Sequence, residues 1–331
     1  MLLMLKETLK KIATRLKTTT IGPLLVIGDL MLDEYHWCDV FRISPEAPVP
    51  ICKVNKTTLA PGGAGNVSHN LAGMGADTSL YGFIGKDSSG EKLTNLLHNL
   101  HIDSTGLITT SRSTILKSRI IARHQQVVRV DREDEGAYVL SDHKALFKQL
   151  ENDIPSASMV ILSDYLKGSL TESFTQKVID LALKHKKPIV VDPKGRSFTK
   201  YKNASMITPN FSEFCLVTNK DYTQEDAIQK SAQQLIKRLK LEGILLTRSE
   251  HGISVITSAE KQDIPTQAKE VFDITGAGDT VVAVFSICVA YGLTYLESAA
   301  VANYAAGIVV GKVGTATTSW AELFKLAGID S

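Results

Sequence analysis

The sequence predicts an α/β fold: a doubly wound, mostly parallel sheet flanked by helices, with a small β-sheet lid. Three observations predict it. Short apolar runs ending on polar residues recur along the chain, helical periodicity fills several of the gaps, and two stretches rich in β-formers break the alternation. At 331 residues the chain is long enough for one large α/β domain. The expected division is an N-terminal helix over 1–20, packed on a single domain over 21–331.

The elements follow in order. Up to Lys17 the chain is basic, with Leu5, Leu9, Ile12, Ala13 and Leu16 at helical spacing. A membrane-surface helix or a transit peptide is the alternative; Glu7 and the lack of serines count against the second. Leu24–Gly28 reads as the first buried strand, with Asp29 and Asp33 closing it. Residues 35–60 and 112–131 read as the lid, the second segment carrying alternating Arg119, Arg123 and Arg129. Val67 to Met74 reads as a helix. Met159–Ser163, Pro188–Asp192, Met206–Thr208 and Gly243–Thr247 are further strands, and Thr171–Lys186 and Gln224–Leu241 carry helical periodicity. Such sheets bind ligands beyond the carboxyl ends of their strands. Asp29, Asp33, Asp164, Asp192, Asn210 and Thr247 stand there.

Composition narrows the function. Hydrophobic residues make up 44% and charged residues 22%, and the net charge is +2 with no dense basic face, which argues against nucleic acid. No apolar run reaches the ~18 residues of a membrane span. The four cysteines form no CxxC pair, which suits reduced thiols in a cytoplasm, and the eight histidines show no metal-binding spacing. Two nucleotide motifs are missing. Gly311-Lys312 runs into Val313 instead of completing a P-loop, and Gly28 runs into Asp29-Leu30-Met31 instead of a GxGxxG.

The chemistry concentrates in a few segments. In Asp273–Val284 a glycine turn (Gly276, Ala277, Gly278) delivers Asp279 to the start of an apolar run. Backbone N–H groups at a helix start bind anions, and a carboxylate beside them can take a proton from a hydroxyl. A turn capped by Asp279 is the plainer reading. Pro61–Val67 brings backbone and Asn66 close to a polar ligand, or is a simple turn. Asp33 is the better placed of the first two aspartates for sugar hydroxyls, and Asp29 suits a turn role. Asn210 and Glu213, three apart, would place an amide and a carboxylate near phosphate and a water-bound Mg²⁺; a capping box needs the same spacing. Lys194 suits a phosphate, or is solvated.

Together, Gly62-Gly63-Ala64-Gly65-Asn66-Val67-Ser68 and Asp273–Val284 resemble the two signatures of the ribokinase-like (PfkB-type) carbohydrate kinase family. Ile274 and Val284 depart from it, both off the glycine turn. Gly28–Asp33, Arg42–Pro50, Gln125-Gln126, Leu162–Tyr165, Asp192–Gly195 and Thr247–Glu250 are similar to the branch that phosphorylates the C1 hydroxyl of D-glycero-β-D-manno-heptose 7-phosphate, in ADP-heptose and lipopolysaccharide core synthesis.

The resemblance implies residue roles. Asp279 is the general base, with the Gly276, Ala277 and Gly278 amides as the anion hole. Asp33, Gly62, Gly63 and Asn66 hold the sugar. Arg42, Lys194, Arg119 and Arg123 are candidates for the substrate's own phosphate. Asn210, Phe211, Ser212 and Glu213 face ATP and its Mg²⁺, and Thr247, Ser249, Gly252 and Asn303 line the nucleotide pocket. A monovalent cation such as K⁺ sits by Asp273 and Thr275. The implied partners are small molecules, neither nucleic acid nor membrane, and a second copy joined through the lid. With no HxGH-type motif before Ser331, a separate adenylyltransferase is expected. Another sugar kinase of the family, or a silent nucleotide or sugar sensor, is the alternative.

Overall fold

An apolar run without a polar face goes to the middle of a sheet, and the first one does so here. Every residue of β1 (Leu24–Gly28) is buried, following helix α1 (Leu2–Thr18). The computed structural model describes every residue except 1, 123, 124, 137, 223, 267–270, 313, 330 and 331, and for 2 and 3 the backbone alone. The chain leaves β1 for a second sheet, through β2 (Leu30–Ile43) and β3 (Pro50–Gly63). It returns by α2 (Ala64–Gly73), β4 (Thr78–Gly85), α3 (Ser88–Asn99) and β5 (Asp103–Thr110), then goes out again for β6 (Ile115–Ala122) and β7 (Gln125–Arg132). The rest winds through α4 (Leu140–Asp153), β8 (Met159–Ser163), α5 (Glu172–Lys184), β9 (Ile189–Asp192), β10 (Met206–Ile207), α6 (Phe211–Thr218), α7 (Glu225–Leu239) and β11 (Gly243–Thr247). It closes with β12 (Ile253–Thr257), β13 (Lys261–Ile264), α8 (Ala277–Ala290), α9 (Tyr295–Val309) and α10 (Trp320–Ala327).

The large sheet runs β13-β12-β11-β10-β9-β8-β1-β4-β5 and is parallel apart from β12 and β13. From β1 the winding goes one way through β4 and β5, and the other way from β8 to β11. The strand order therefore reverses between β1 and β8, where open α/β sheets form their ligand crevice. Alternate residues of β1 feed the two faces: Leu24 and Val26 join the core under α1, α2, α8 and α9, while Leu25 and Ile27 join the one under α4, α5 and α7. Leu5, Leu9 and Ile12 of α1 are buried in the first of these, and Lys11 pairs with Glu297 of α9 at 2.8 Å.

The second sheet runs β3-β2-β6-β7. Its first segment, β2 and β3, starts at Leu30 and ends at Gly63, wider than the 35–60 read from composition. Asp33 thus does not close the first strand. Only Asp29 separates β1 from β2, and Asp33 lies inside β2. Register puts Asp33 beside Lys117, and Lys117 beside Asp131, on one face; Glu34, Ser118 and Val130 share the opposite one.

Candidate active site

Asp29 explains how the crevice keeps its shape. Its carboxylate is fully buried and accepts from the backbone N–H groups of Tyr165 (2.8 Å), Lys167 (3.0 Å) and Ser169 (3.0 Å). These three bonds fold the segment after β8 back over the end of β1. Asp29 therefore has the turn role. Asp164 is held in the same way, accepting from Tyr201 Oη at 2.7 Å and the Leu166 N–H at 2.8 Å, with Lys200 on the same carboxylate.

Beyond the carboxyl ends of β8 to β11, at the mouth of α8, lies a cleft of about 160 Å³. Tyr165, Asp192, Lys194, Thr208, Asn210, Glu213, Thr247, Gly276, Gly278 and Asp279 are among its lining. α8 begins on Gly276, whose φ of 80° is left-handed, and a Cβ there would stand 2.7 Å from Asn66 Nδ2. Glycine lets this turn approach α2. Of the first amides of α8, the Ala277 N–H already donates to Ile274 O (3.2 Å) and the Thr280 N–H to Gly276 O (3.0 Å). Of the three residues expected to supply the anion hole, Ala277 thus has its amide engaged within the turn, while Gly276 and Gly278 line the cleft with Asp279.

Asp279 is buried and doubly held. Its carboxylate accepts from Asn66 Nδ2 at 2.6 Å and from Tyr165 Oη at 2.8 Å. Burial pushes its pKa up to about 6, Asp33 pushes the same way, and the bonds from Asn66 and Tyr165 and the charge of Lys117 oppose it. At the next residue, Thr280 Oγ1 donates to Asn70 Oδ1 (2.8 Å), and Asn70 Nδ2 donates to Asn66 O (2.9 Å), so α2 and α8 are laced together beneath the carboxylate. Tyr165 enters the sequence reading only within the Leu162–Tyr165 resemblance, with no role attached, and it lies 114 residues from Asp279.

The remaining sequence candidates divide. Gly62 and Gly63 belong to β3, and a Cβ on Gly62 would stand 2.6 Å from Asp33 Oδ2 and one on Gly63 2.4 Å from Asp29 O, so glycine lets this backbone lie against both aspartates. Asp33 Oδ1 accepts from Arg119 at 2.6 Å. Arg42 is not brought in. It is exposed toward the far end of β2, nine residues past Asp33, or about 30 Å along an extended strand. Arg123 lies outside the described residues. Asn210 and Glu213 do form the capping box of α6: the Glu213 N–H donates to Asn210 Oδ1 (2.9 Å) and the Asn210 N–H to Glu213 Oε2 (3.0 Å). Glu213 Oε1 holds Lys194 Nζ at 2.5 Å, so capping box and cleft wall are the same residues. Ser212 is exposed in the first turn of α6, and Phe211 lies 5.9 Å below the Arg248 guanidinium. Thr247 bridges to Asn210, Ser249 and Gly252 turn the chain at positive φ, and Asn303 donates to Pro265 O at 2.8 Å.

Asp192 stands across the cleft. Burial, then the charge of Asp279, raises its pKa well above the carboxylate range, and Thr208 Oγ1 donates to it at 3.3 Å. Asp273 ties two backbone N–H groups, Thr275 at 2.9 Å and Gly314 at 3.1 Å. Among the described residues no group of three or more His, Cys, Asp or Glu is arranged to hold a metal ion. Asp192 and Glu213 line the cleft as oxygen donors, which suits Mg²⁺ carried on substrate phosphates with water as its other ligands. No helix among the described residues is long and apolar enough to cross a membrane.

A family model described as "pfkB family carbohydrate kinase" matches residues 23–322. The bifunctional protein HldE of Haemophilus influenzae strain PittEE is 44% identical over 300 residues, and that of Proteus mirabilis 42%; each match covers 90% of this chain. The chain spans 62% of the length of these curated relatives. Among solved structures, Escherichia coli phosphofructokinase-2 in complex with potassium aligns with a TM-score of 0.80 at 19% identity, over 93% of this chain and 99% of that one. Arabidopsis thaliana ribokinase complexed with ribose and ATP aligns at 0.73 and 17%, over 94% and 100%. At that identity the structures show the fold, ribokinase-like. The matched family and the relatives go further: the chain belongs to the pfkB family of carbohydrate kinases, phosphotransferases whose acceptor is an alcohol.

Proposed function

We propose that this kinase transfers the terminal phosphoryl group of ATP to the C1 hydroxyl of D-glycero-β-D-manno-heptose 7-phosphate, making the 1,7-bisphosphate for ADP-heptose and lipopolysaccharide core synthesis in the cytoplasm. The carrying observation is Asp279: a buried carboxylate held by Asn66 and Tyr165 at the mouth of a helix whose first free amides face the same cleft. The motif resemblance and the identity to HldE support the choice of acceptor. Asp279 takes the hydroxyl proton as the oxygen attacks. The Gly278 and Asp279 amides stabilise charge on the transferring phosphoryl group. Asn66, Gly63 and Asp33 orient the sugar, and Thr247, Ser249, Gly252 and Asn303 belong to the nucleotide side. Mg²⁺ would supply charge neutralisation on the triphosphate, with Glu213 reaching it through water. A monovalent cation near Asp273 and Thr275 belongs to the same reading.

The second sheet supports a homodimer. Phe41, Ile43, Val54, Val128 and Val130 are exposed on it, and by register Val54, Val128 and Val130 lie on the face opposite Asp33 and Lys117.

ADP release against a panel of sugars and sugar phosphates tests the assignment. Heptose 7-phosphate should exceed ribose, fructose 1-phosphate and nucleosides by a wide margin, and D279N should lower turnover about 10²–10⁴-fold. Equal rates across the panel, or full activity in D279N, would end the proposal.

A further inference from the structure

Four cations crowd the inner face of the second sheet and the loop beside it, and three are already committed. Arg119 is bonded to Asp33 at 2.6 Å, Arg129 to Asp131 at 2.8 Å, and Lys167 to Glu133 at 2.7 Å. Lys117 is not. It sits mid-strand in β6, between Asp33 of β2 and Asp131 of β7 in register, and its ammonium has no hydrogen-bond or ion-pair partner among the described residues. Both neighbouring carboxylates have their close contacts with arginines instead. The side chain is half-buried, and its charge reaches Asp279 across the crevice. A half-buried ammonium without a contact partner is costly unless a ligand supplies one.

We propose that Lys117 is a specificity-determining residue: its ammonium receives a phosphate monoester carried by the acceptor at the end remote from the reacting hydroxyl, and so selects sugar phosphates over neutral sugars. This rests on the reading of Asp279 as the base, because the sugar must then bridge from Asp279 and Asn66 on one side to Asp33 on the other. Lys117 lies beyond Asp33 on the same sheet face, where the far end of such an acceptor arrives. Burial, together with the like charges of Arg129 and Lys167, lowers its pKa, against the pull of Asp33 and Asp131. A dianion seated between these cations relieves their repulsion and favours the charged form of Lys117.

Steady-state kinetics on heptose 7-phosphate and on unphosphorylated heptose, with K117A and K117R beside the wild type, provide the first test. K117A should raise KM for the phosphate about 10- to 100-fold more than KM for the neutral sugar, any change in kcat from the lost charge near Asp279 being common to both acceptors, and K117R should recover most of the loss. Equal effects on both acceptors, or none on either, would overturn the proposal. The second test needs no turnover. An amine-reactive ester applied to the wild type, with and without millimolar inorganic phosphate, is read by peptide mass spectrometry. Protection of Lys117 but not of exposed Lys184 supports the site, and equal labelling overturns it. A wild type that used neither sugar would refute the assigned acceptor, while the labelling result would still decide the role of Lys117.

Discussion

Asp279 must be ionised to accept a proton, yet it is buried. The groups facing it come from five places in the chain: Asn66 from α2, Tyr165 from the loop after β8, Asp33 from β2, Lys117 from β6 and, across the cleft, Asp192 at the end of β9. With the pKa at about 6, most molecules carry the charged form at neutral pH while the carboxylate is more basic than an ordinary aspartate. Y165F deletes one of the opposing hydrogen bonds and leaves burial in place, so the pKa rises. The acid limb of kcat/KM should therefore lie near pH 6 in the wild type and move up by roughly one pH unit in Y165F, with the alkaline side unaffected. An unmoved limb would show that the hydroxyl does not tune this carboxylate. The sign for stability is the reverse of the usual aspartate. A raised folded-state pKa favours the protonated form, so this group contributes stability below the ordinary value of 3.8 and loses it as pH rises through about 6. Asp279 was legible in the sequence because its glycine turn is local. Tyr165 and Lys117 were not, since one depends on a contact across 114 residues and the other on the failure of its neighbours to pair with it.

At the scale of the element, the two glycines flanking Ala277 have different duties. Gly276 is left-handed and packed against Asn66, whereas a Cβ on Gly278 would meet nothing within 4 Å. G276A strains the backbone by about 1–2 kcal/mol and displaces Asn66 as well, so thermal melting should fall by a few degrees and turnover with it. G278A should fold with a melting temperature close to the wild type and show its defect as a raised KM for ATP, because the added methyl projects into open space at the helix mouth. Equal melting temperatures for the two variants would mean that the turn is not constrained by α2. The strands were legible where the apolar run had a sharp end, as at Leu24–Gly28, Met159–Ser163 and Gly243–Thr247, each matching residue for residue. The exit from β1 was not. A single residue, Asp29, separates β1 from β2, and no proline or glycine after it marks the change of sheet, so Asp33 was assigned to the wrong strand. What fixes the boundary is tertiary: three amides from beyond β8 close on the Asp29 carboxylate.

At the scale of the whole molecule, the second sheet has two faces with opposite chemistry. One carries Asp33, Lys117, Arg119 and Asp131 toward the crevice; the other carries Val54, Val128 and Val130, each about half exposed, with Glu34 at its packed end. Two-strand excursions of this kind are marginal alone, and a sheet with one apolar face needs something to cover it. A second copy laying the same face on the first would bury these side chains and form a closed two-fold interface. Val130 sits on β7, the outermost strand, and is 57% exposed, so V130E adds a charge without disturbing the core. Light scattering should give the mass of two chains for the wild type and of one for V130E. On the proposed role of Asp33 in orienting the sugar, freeing this sheet should also raise KM for the acceptor more than KM for ATP. If the wild type already scatters as one chain, or V130E as two, the apolar face has another purpose, and the second sheet is then held in place from within one chain, by the Asp29 link to β1, by β3 running straight into α2 and by the Thr114 N–H donating to Asp87 at 2.7 Å ahead of β6.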